Sequence, residues 1–204
     1  VLEAINLDCV RGERRLFHNL NFHLDAGECL LVRGQNGSGK TSLLRMLVGL
    51  TPAAAGAVHW QGSPIKKLGD GYRRELLYCG HSLGLKDDLS ATENLTSGMA
   101  LSDESVTADA VLDALGQAGL QGREHLSVRA LSQGQKRRVN LARLLLQKRA
   151  LWVLDEPLTA LDAQASQWVV RVIDQHLSGG GIVVLTTHQD LTLVGTAHVI
   201  RVGV

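Results

Sequence analysis

Residues 28–41 read ECLLVRGQNGSGKT, and the fold turns on this stretch. Cys29 to Val32 form a short apolar run of strand length. Gly34, Gly37 and Gly39 punctuate the loop that follows. Residues 40–50, KTSLLRMLVGL, then carry apolar positions at helical spacing, with Gly49 near the end. The order is strand, glycine loop, helix. Residues 34–41 fit G-x-x-x-x-G-K-[ST] in the context that motif requires. The glycines let backbone close around a polyphosphate where side chains would collide. Successive N–H groups and the helix N-terminus then turn partial positive charge toward the anion. Gly34, Gln35, Asn36, Gly37, Ser38, Gly39, Lys40 and Thr41 are therefore the candidate nucleotide-binding residues. Lys40 is expected to reach the β- and γ-phosphates, and the Thr41 hydroxyl to be a Mg²⁺ ligand. The alternative, a glycine-rich turn joining a strand and a helix with a chance Lys-Thr, is outweighed by motif and context together.

On either side of this unit the chain alternates strand-like and helix-like patterns. Residues 2–10, 20–24, 57–61 and 76–79 read as strands. Helical spacing fills about 103–119, 132–148 and 163–177. Two wholly apolar runs, 150–154 (ALWVL) and 182–186 (IVVLT), have the composition of strands buried on both faces. Gly179-Gly180-Gly181 ends the helix between them. Such alternation implies an α/β fold with a mainly parallel sheet. A small antiparallel β region is expected at the N-terminal side. The stretch at about 85–140 lacks strand-like runs and reads as a helical insert. One domain spanning 1–204 is expected, with a core at about 1–80 and 141–204 and a helical subdomain at about 82–140.

The run 150–154 delivers Asp155 and Glu156 at its C-terminal end, where open parallel sheets bind ligands. The two carboxylates can thus converge with the phosphate loop. Asp155 is the candidate Mg²⁺ ligand, directly or through water. Glu156 is placed to act as general base on the attacking water. Adjacent acids on a buried strand would repel unless a cation offsets them, which MgATP supplies. The second run ends in Thr186-Thr187-His188. His188 can donate to the γ-phosphate, orient Glu156, or serve structure alone.

Composition narrows the class. The chain has 204 residues, 45% hydrophobic, enough for one sizeable core. Lys plus Arg is 21 against 20 for Asp plus Glu, a net charge of +1, which argues against a dedicated nucleic-acid binder. Aromatics are only 3%, so few side chains could stack on adenine. Cys9, Cys29 and Cys79 form no C-x-x-C pair and sit in apolar stretches, as small buried hydrophobes in a reducing compartment do. The alternating N-terminus is unlike a signal peptide, and no apolar run nears the ~18 residues of a membrane span. A soluble intracellular protein is expected, with membrane contact made through a partner.

Residues 131–135 read LSQGQ and are followed by KRRVNLAR. With GQNGSGKT before them and LWVLDEP, TALD and TTH after, the chain resembles the ATP-binding cassette ATPases over nearly its whole length. The resemblance implies a nucleoside-triphosphatase core, ATP hydrolysis with Mg²⁺, and a head-to-tail homodimer with ATP at its interface. Ser132, Gly134 and Gln135 would contact ATP held by the second copy, although a serine there is also an ordinary helix N-cap. Asp162, in the loop Ala160-Leu161-Asp162, would sense the partner. Lys40, Glu156 and His188 would carry the chemistry. Two departures stand out. Arg11 stands near the position that usually holds an adenine-stacking aromatic, with Phe17 the nearest aromatic, so adenine would stack on Arg11 or be held loosely. His81 stands where a glutamine usually joins the core to the helical insert; it could sense γ-phosphate or metal, or merely pack.

Within that family, GHSLGLKDDLSATENL (80–95), WQG (60–62) and GGGIVVLTTHQDL (179–191) are similar to the cytochrome c maturation ATPases of bacteria, traditionally called haem exporter ATPases. This resemblance implies a peripheral protein on the cytoplasmic face of the inner membrane. Its partners would be integral membrane transporter subunits, coupled through the region of His81 and the loop 82–95. No haem site is evident; Cys79 near His81 reads as a core cysteine beside a loop histidine. Three other readings remain open: a soluble cassette acting on ribosomes or DNA, an ATP-binding scaffold without turnover, and the ATPase of another small exporter.

Overall fold

The computed structural model describes residues 1–102 and 104–203. In chain order the elements are β1 (Leu2–Arg11), β2 (Arg14–Leu24), β3 (Cys29–Arg33), α1 (Lys40–Leu47), β4 (Ala55–Trp60), β5 (Ser63–Pro64), α2 (Ile65–Leu68), α3 (Asp70–Glu75) and β6 (Leu76–Cys79). They continue with α4 (Ala91–Leu101), α5 (Ala108–Gln117), α6 (Gln133–Leu141), α7 (Arg143–Leu146), β7 (Leu151–Leu154), α8 (Ala163–Ser178), β8 (Ile182–Thr186) and β9 (Ala197–Arg201).

Two sheets form. β2-β1-β4-β5 is antiparallel, and β6-β7-β8-β3-β9 is parallel. Every residue of β7 and β8 is buried, as is every residue of β3 but Arg33, matching their unbroken apolar sequences. Leu43, Leu44 and Leu47 of α1 pack in the same core as Leu30, Val32, Val153 and Val184. Truncating any one of these leucines to alanine should cost about 2–5 kcal/mol. Because the central strands are parallel, their C-terminal ends lie at one edge, and the glycine loop, Asp155 and His188 follow three of those ends.

The chain divides into two compact units. One comprises residues 1–80, 149–156 and 173 onward and holds both sheets; the other comprises 81–148 and 157–172 and is helical. The expected core boundary at 141 is displaced, because α7 packs on α5 and α6 within the helical unit.

Several expected elements differ. β2 begins at Arg14 rather than 20, since hairpin pairing with β1 continues through bulges into polar sequence. The helix expected over 103–119 begins at Ala108, where the Thr107 hydroxyl caps the Ala110 amide; Asp103 lies outside the described residues. The pattern over 132–148 is two helices, α6 and α7, rather than one. α4 falls inside the expected helical insert but was not read as a separate helix, because Thr92, Asn94, Thr96, Ser97 and Gly98, residues of low helix propensity, interrupt its pattern. A Ser90–Glu93 capping box starts it, and Ala91, Leu95 and Met99 bury one face. β9 was also missed: it is almost entirely exposed and exists through its ladder with β3.

Candidate nucleotide and metal site

The glycine loop is forced by close approach. A Cβ on Gly34 would lie 2.5 Å from Ser38 Oγ and 2.6 Å from the Val202 carbonyl. Gly39 has φ 108° and packs on Leu16 and Phe17, so a Cβ there would be 3.1 Å from Leu16 Cβ. α1 starts directly at Lys40 with no acidic residue in its first turn, leaving the positive end of its dipole toward the loop. The buried Lys40 Nζ donates to the Gly34 and Gln35 carbonyls at 2.8 and 3.2 Å, so the ammonium is held inside the loop it closes. Ser38 is buried, and its Oγ has no hydrogen-bond partner among the described residues. A buried hydroxyl in the glycine loop, without a partner of its own, suits a phosphate oxygen.

The acidic side meets this loop through one hydrogen bond. Thr41 Oγ1 donates to Asp155 Oδ2 at 2.8 Å across 114 residues of sequence. The other carboxylate oxygen, Oδ1, accepts from Thr186 Oγ1 at 2.8 Å, and the Asp155 amide donates to the Cys79 carbonyl at 2.8 Å. A hydroxyl and a carboxylate oxygen side by side form a hard, all-oxygen donor pair, which fits Mg²⁺ shared with nucleotide phosphates. No cluster of three or more His, Cys, Asp or Glu able to hold a metal occurs among the described residues.

Glu156 has φ 48°, a left-handed conformation that costs a non-glycine residue about 1–2 kcal/mol. Its amide donates to Thr186 Oγ1 at 2.7 Å. Its side-chain Oε1 lies 3.1 Å from His188 Nε2; a carboxylate only accepts, so the imidazole donates from Nε2. Both side chains are partly open to solvent. The group thus offers a base, a donor oriented on it, and a metal-type oxygen pair next to an anion-binding loop.

The remaining sequence candidates lie elsewhere. Arg11 is exposed at the end of β1, whereas Phe17 is buried against Gly39, which removes Phe17 as a stacking surface for a base. In the helical unit, Ser132 caps α6: its hydroxyl accepts from the Gln135 amide at 3.2 Å, and Gln135 Oε1 accepts from the Ser132 amide at 2.9 Å. Gly134 packs so closely on the Ala160 carbonyl that a Cβ would approach to 2.6 Å. Asp162 caps α8 through the Ala165 amide at 2.8 Å, and its other oxygen lies 4.0 Å from Arg138. His81 is exposed in the loop after Gly80. Sequence reasoning gave Thr186 no role; the hydroxyl at the end of an apolar strand, two residues before His188, was the available signal.

Comparison with known proteins shows the family. The model of the ABC transporter family matches residues 17–159. The cytochrome c biogenesis ATP-binding export protein CcmA of Dechloromonas aromatica is 52% identical over 204 residues, covering 100% of both chains. That of Pseudomonas aeruginosa is 53% identical over 203 residues, again covering 100% of both. Among solved structures, an ABC transporter ATP-binding protein of Pyrococcus furiosus superposes with a TM-score of 0.84 at 25% identity, covering 97% of this chain and 96% of that one. A dimeric ATP-binding cassette in a post-hydrolysis state with ADP and Pi shares the fold at 22% identity and a TM-score of 0.80, covering 93% of this chain and 88% of that one. With the family model spanning more than half of the sequence and full-length relatives above half identical, the chain belongs to the ABC transporter family as an ATP-hydrolysing cassette.

Proposed function

We propose that this cassette is the energy-coupling subunit of a bacterial inner-membrane complex serving cytochrome c biogenesis, acting as a head-to-tail pair. The full-length identity to cytochrome c biogenesis ATP-binding export proteins carries the reading. Among the described residues no helix is long and apolar enough to cross a membrane, so integral partner subunits would supply the membrane path. His81 and the loop 82–95 are the proposed coupling region. The transported or released cargo would be haem or a haem-carrying chaperone held by those partners.

In this reading the loop amides and Lys40 bind the triphosphate. Thr41 and Asp155 would hold Mg²⁺ together with phosphate oxygens, and the metal would supply charge neutralisation at the transferred phosphoryl group. Glu156 accepts the proton of the attacking water as its oxygen bonds to the γ-phosphorus. The bond from that phosphorus to the β–γ bridging oxygen breaks, leaving ADP and phosphate. His188, donating to Glu156, fixes the direction of its carboxylate. Ser132, Gly134 and Gln135 of one copy complete the nucleotide site of the other, with Asp162 in the loop that senses closure.

Two measurements test this. Glu156→Gln should lower ATP turnover at least ~100-fold while nucleotide binding stays within a few-fold. Affinity-tagged protein expressed in a bacterium that makes c-type cytochromes should purify with integral membrane subunits, and His81→Ala should weaken that recovery while basal ATPase activity persists. Turnover at the parent rate in Glu156→Gln would remove the assignment of the base. Purification without membrane partners would remove the coupling role.

A further inference from the structure

One hydroxyl ties together the two acidic residues of the site. Thr186, the last residue of β8, has 0% exposure. Its Oγ1 donates to Asp155 Oδ1 at 2.8 Å and accepts the Glu156 amide at 2.7 Å. Asp155 Oδ2 is engaged by Thr41 at 2.8 Å, so both carboxylate oxygens are held and the group cannot turn about its last torsion without losing a bond. Parallel pairing of β7 with β8 runs through Leu154 and Leu185 and brings the following residues, 155 and 186, together.

The same hydroxyl answers a backbone problem. Glu156 sits at φ 48°, where the chain leaves the ladder and its N–H needs another acceptor. With its own proton committed to Asp155, the Thr186 oxygen presents lone pairs to that N–H. Valine would fill the same volume but take this partner from both a buried carboxylate oxygen and a backbone amide, a loss larger than that of one ordinary hydrogen bond. Backbone strain of this kind persists only where surrounding contacts over-determine it.

We propose that Thr186 is a positioning residue for hydrolysis: its side chain sets the direction of the Asp155 carboxylate and holds the backbone of Glu156 in the bend that presents the base. The proposal rests on Asp155 and Glu156 acting as read above. It acts on the rate and on metal dependence more than on nucleotide affinity, because the Thr186 hydroxyl bonds to Asp155 and Glu156, whereas Lys40 is held by the Gly34 and Gln35 carbonyls.

The test compares Thr186→Val and Thr186→Ser in the full chain. ATP turnover is measured, along with binding of a non-hydrolysable ATP analogue titrated with Mg²⁺. Thr186→Val should lower kcat about 10- to 100-fold. Its analogue affinity at saturating Mg²⁺ should stay within about threefold, and the Mg²⁺ midpoint of analogue binding should rise by about threefold or more. Thr186→Ser, which keeps the hydroxyl, should recover most of the lost rate and return the midpoint. Parent kcat and parent midpoint in Thr186→Val would overturn the proposal. So would equal loss in both variants, which would assign the effect to the methyl group and packing. If Thr186→Val does not melt cooperatively, Thr186→Ala against Thr186→Ser decides by the same criteria. A Glu156→Gln variant run alongside separates the failures: if it is inactive while Thr186→Val matches the parent, only the positioning role falls.

Discussion

At the scale of single residues, the site is a set of side chains whose surroundings leave little freedom. Gly34 is the sharpest case. The space for its Cβ is already taken by Ser38 Oγ at 2.5 Å and the Val202 carbonyl at 2.6 Å, both near the phosphate loop. Alanine there must move the loop backbone that would hold the nucleotide. Gly34→Ala should therefore lower ATP affinity at least ~10-fold, measured by equilibrium binding of a fluorescent nucleotide, and should destabilise the fold by about 1–3 kcal/mol. Gly37, with nothing within 4 Å of a hypothetical Cβ, presents no such obstacle beyond its φ of 78°. The motif requires a glycine at position 34 and leaves position 37 open, and the packing around Gly34 shows why a methyl group is excluded there.

At the scale of elements, the helices of the second unit depend on their ends. α4 has Thr92, Thr96, Ser97 and Gly98 in its sequence, residues of modest helix propensity. Its start is secured by the Ser90–Glu93 capping box, with Ser90 Oγ accepting the Glu93 amide at 3.2 Å and Glu93 accepting the Ser90 amide at 2.7 Å. Ser90→Ala should cost about 1 kcal/mol and lower the melting temperature by about 2–4 °C in a thermal scan. An unchanged melting temperature would mean the buried face of Leu95 and Met99 holds α4 without its cap. The same box recurs at Ser132 and Gln135, so the residues that the family resemblance assigns to a second copy's ATP already satisfy one another at the start of α6.

At the scale of the whole molecule, pH acts on the core through His176. Its ring stacks on Trp152 with centroids 3.7 Å apart and planes 3° from parallel. Burial lowers its pKa from 6.5 to about 4, because the charged form loses hydration. The depressed value means the fold favours neutral imidazole. This contribution is complete above pH 6.5 and is lost as pH falls toward 4, where the unfolded chain binds the extra proton. Over that window the loss reaches at most about 3 kcal/mol. Urea midpoints should drop between pH 7 and pH 4.5, and His176→Phe should flatten part of the drop. Gly181 belongs to the same contact, since a Cβ there would lie 2.1 Å from the imidazole Nε2. A second whole-molecule expectation concerns assembly. In sedimentation, Glu156→Gln with MgATP should shift toward a pair, and Ser132→Arg in the same background should abolish the shift.

The sequence alone determined the order of strand, loop and helix, the phosphate loop, and Asp155 and Glu156 at the end of a buried strand. These features are local: a period, a glycine spacing, an apolar run ending in charge. It also carried a resemblance strong enough to name the family. Tertiary structure decided the rest. β9 exists because β3 offers a ladder, and α4 because a capping box and three buried side chains outweigh weak propensity. Thr186 acquires its place because parallel pairing brings residue 186 beside residue 155. Such relations depend on groups far apart in the chain reaching hydrogen-bond distance, and no spacing along one segment encodes that distance.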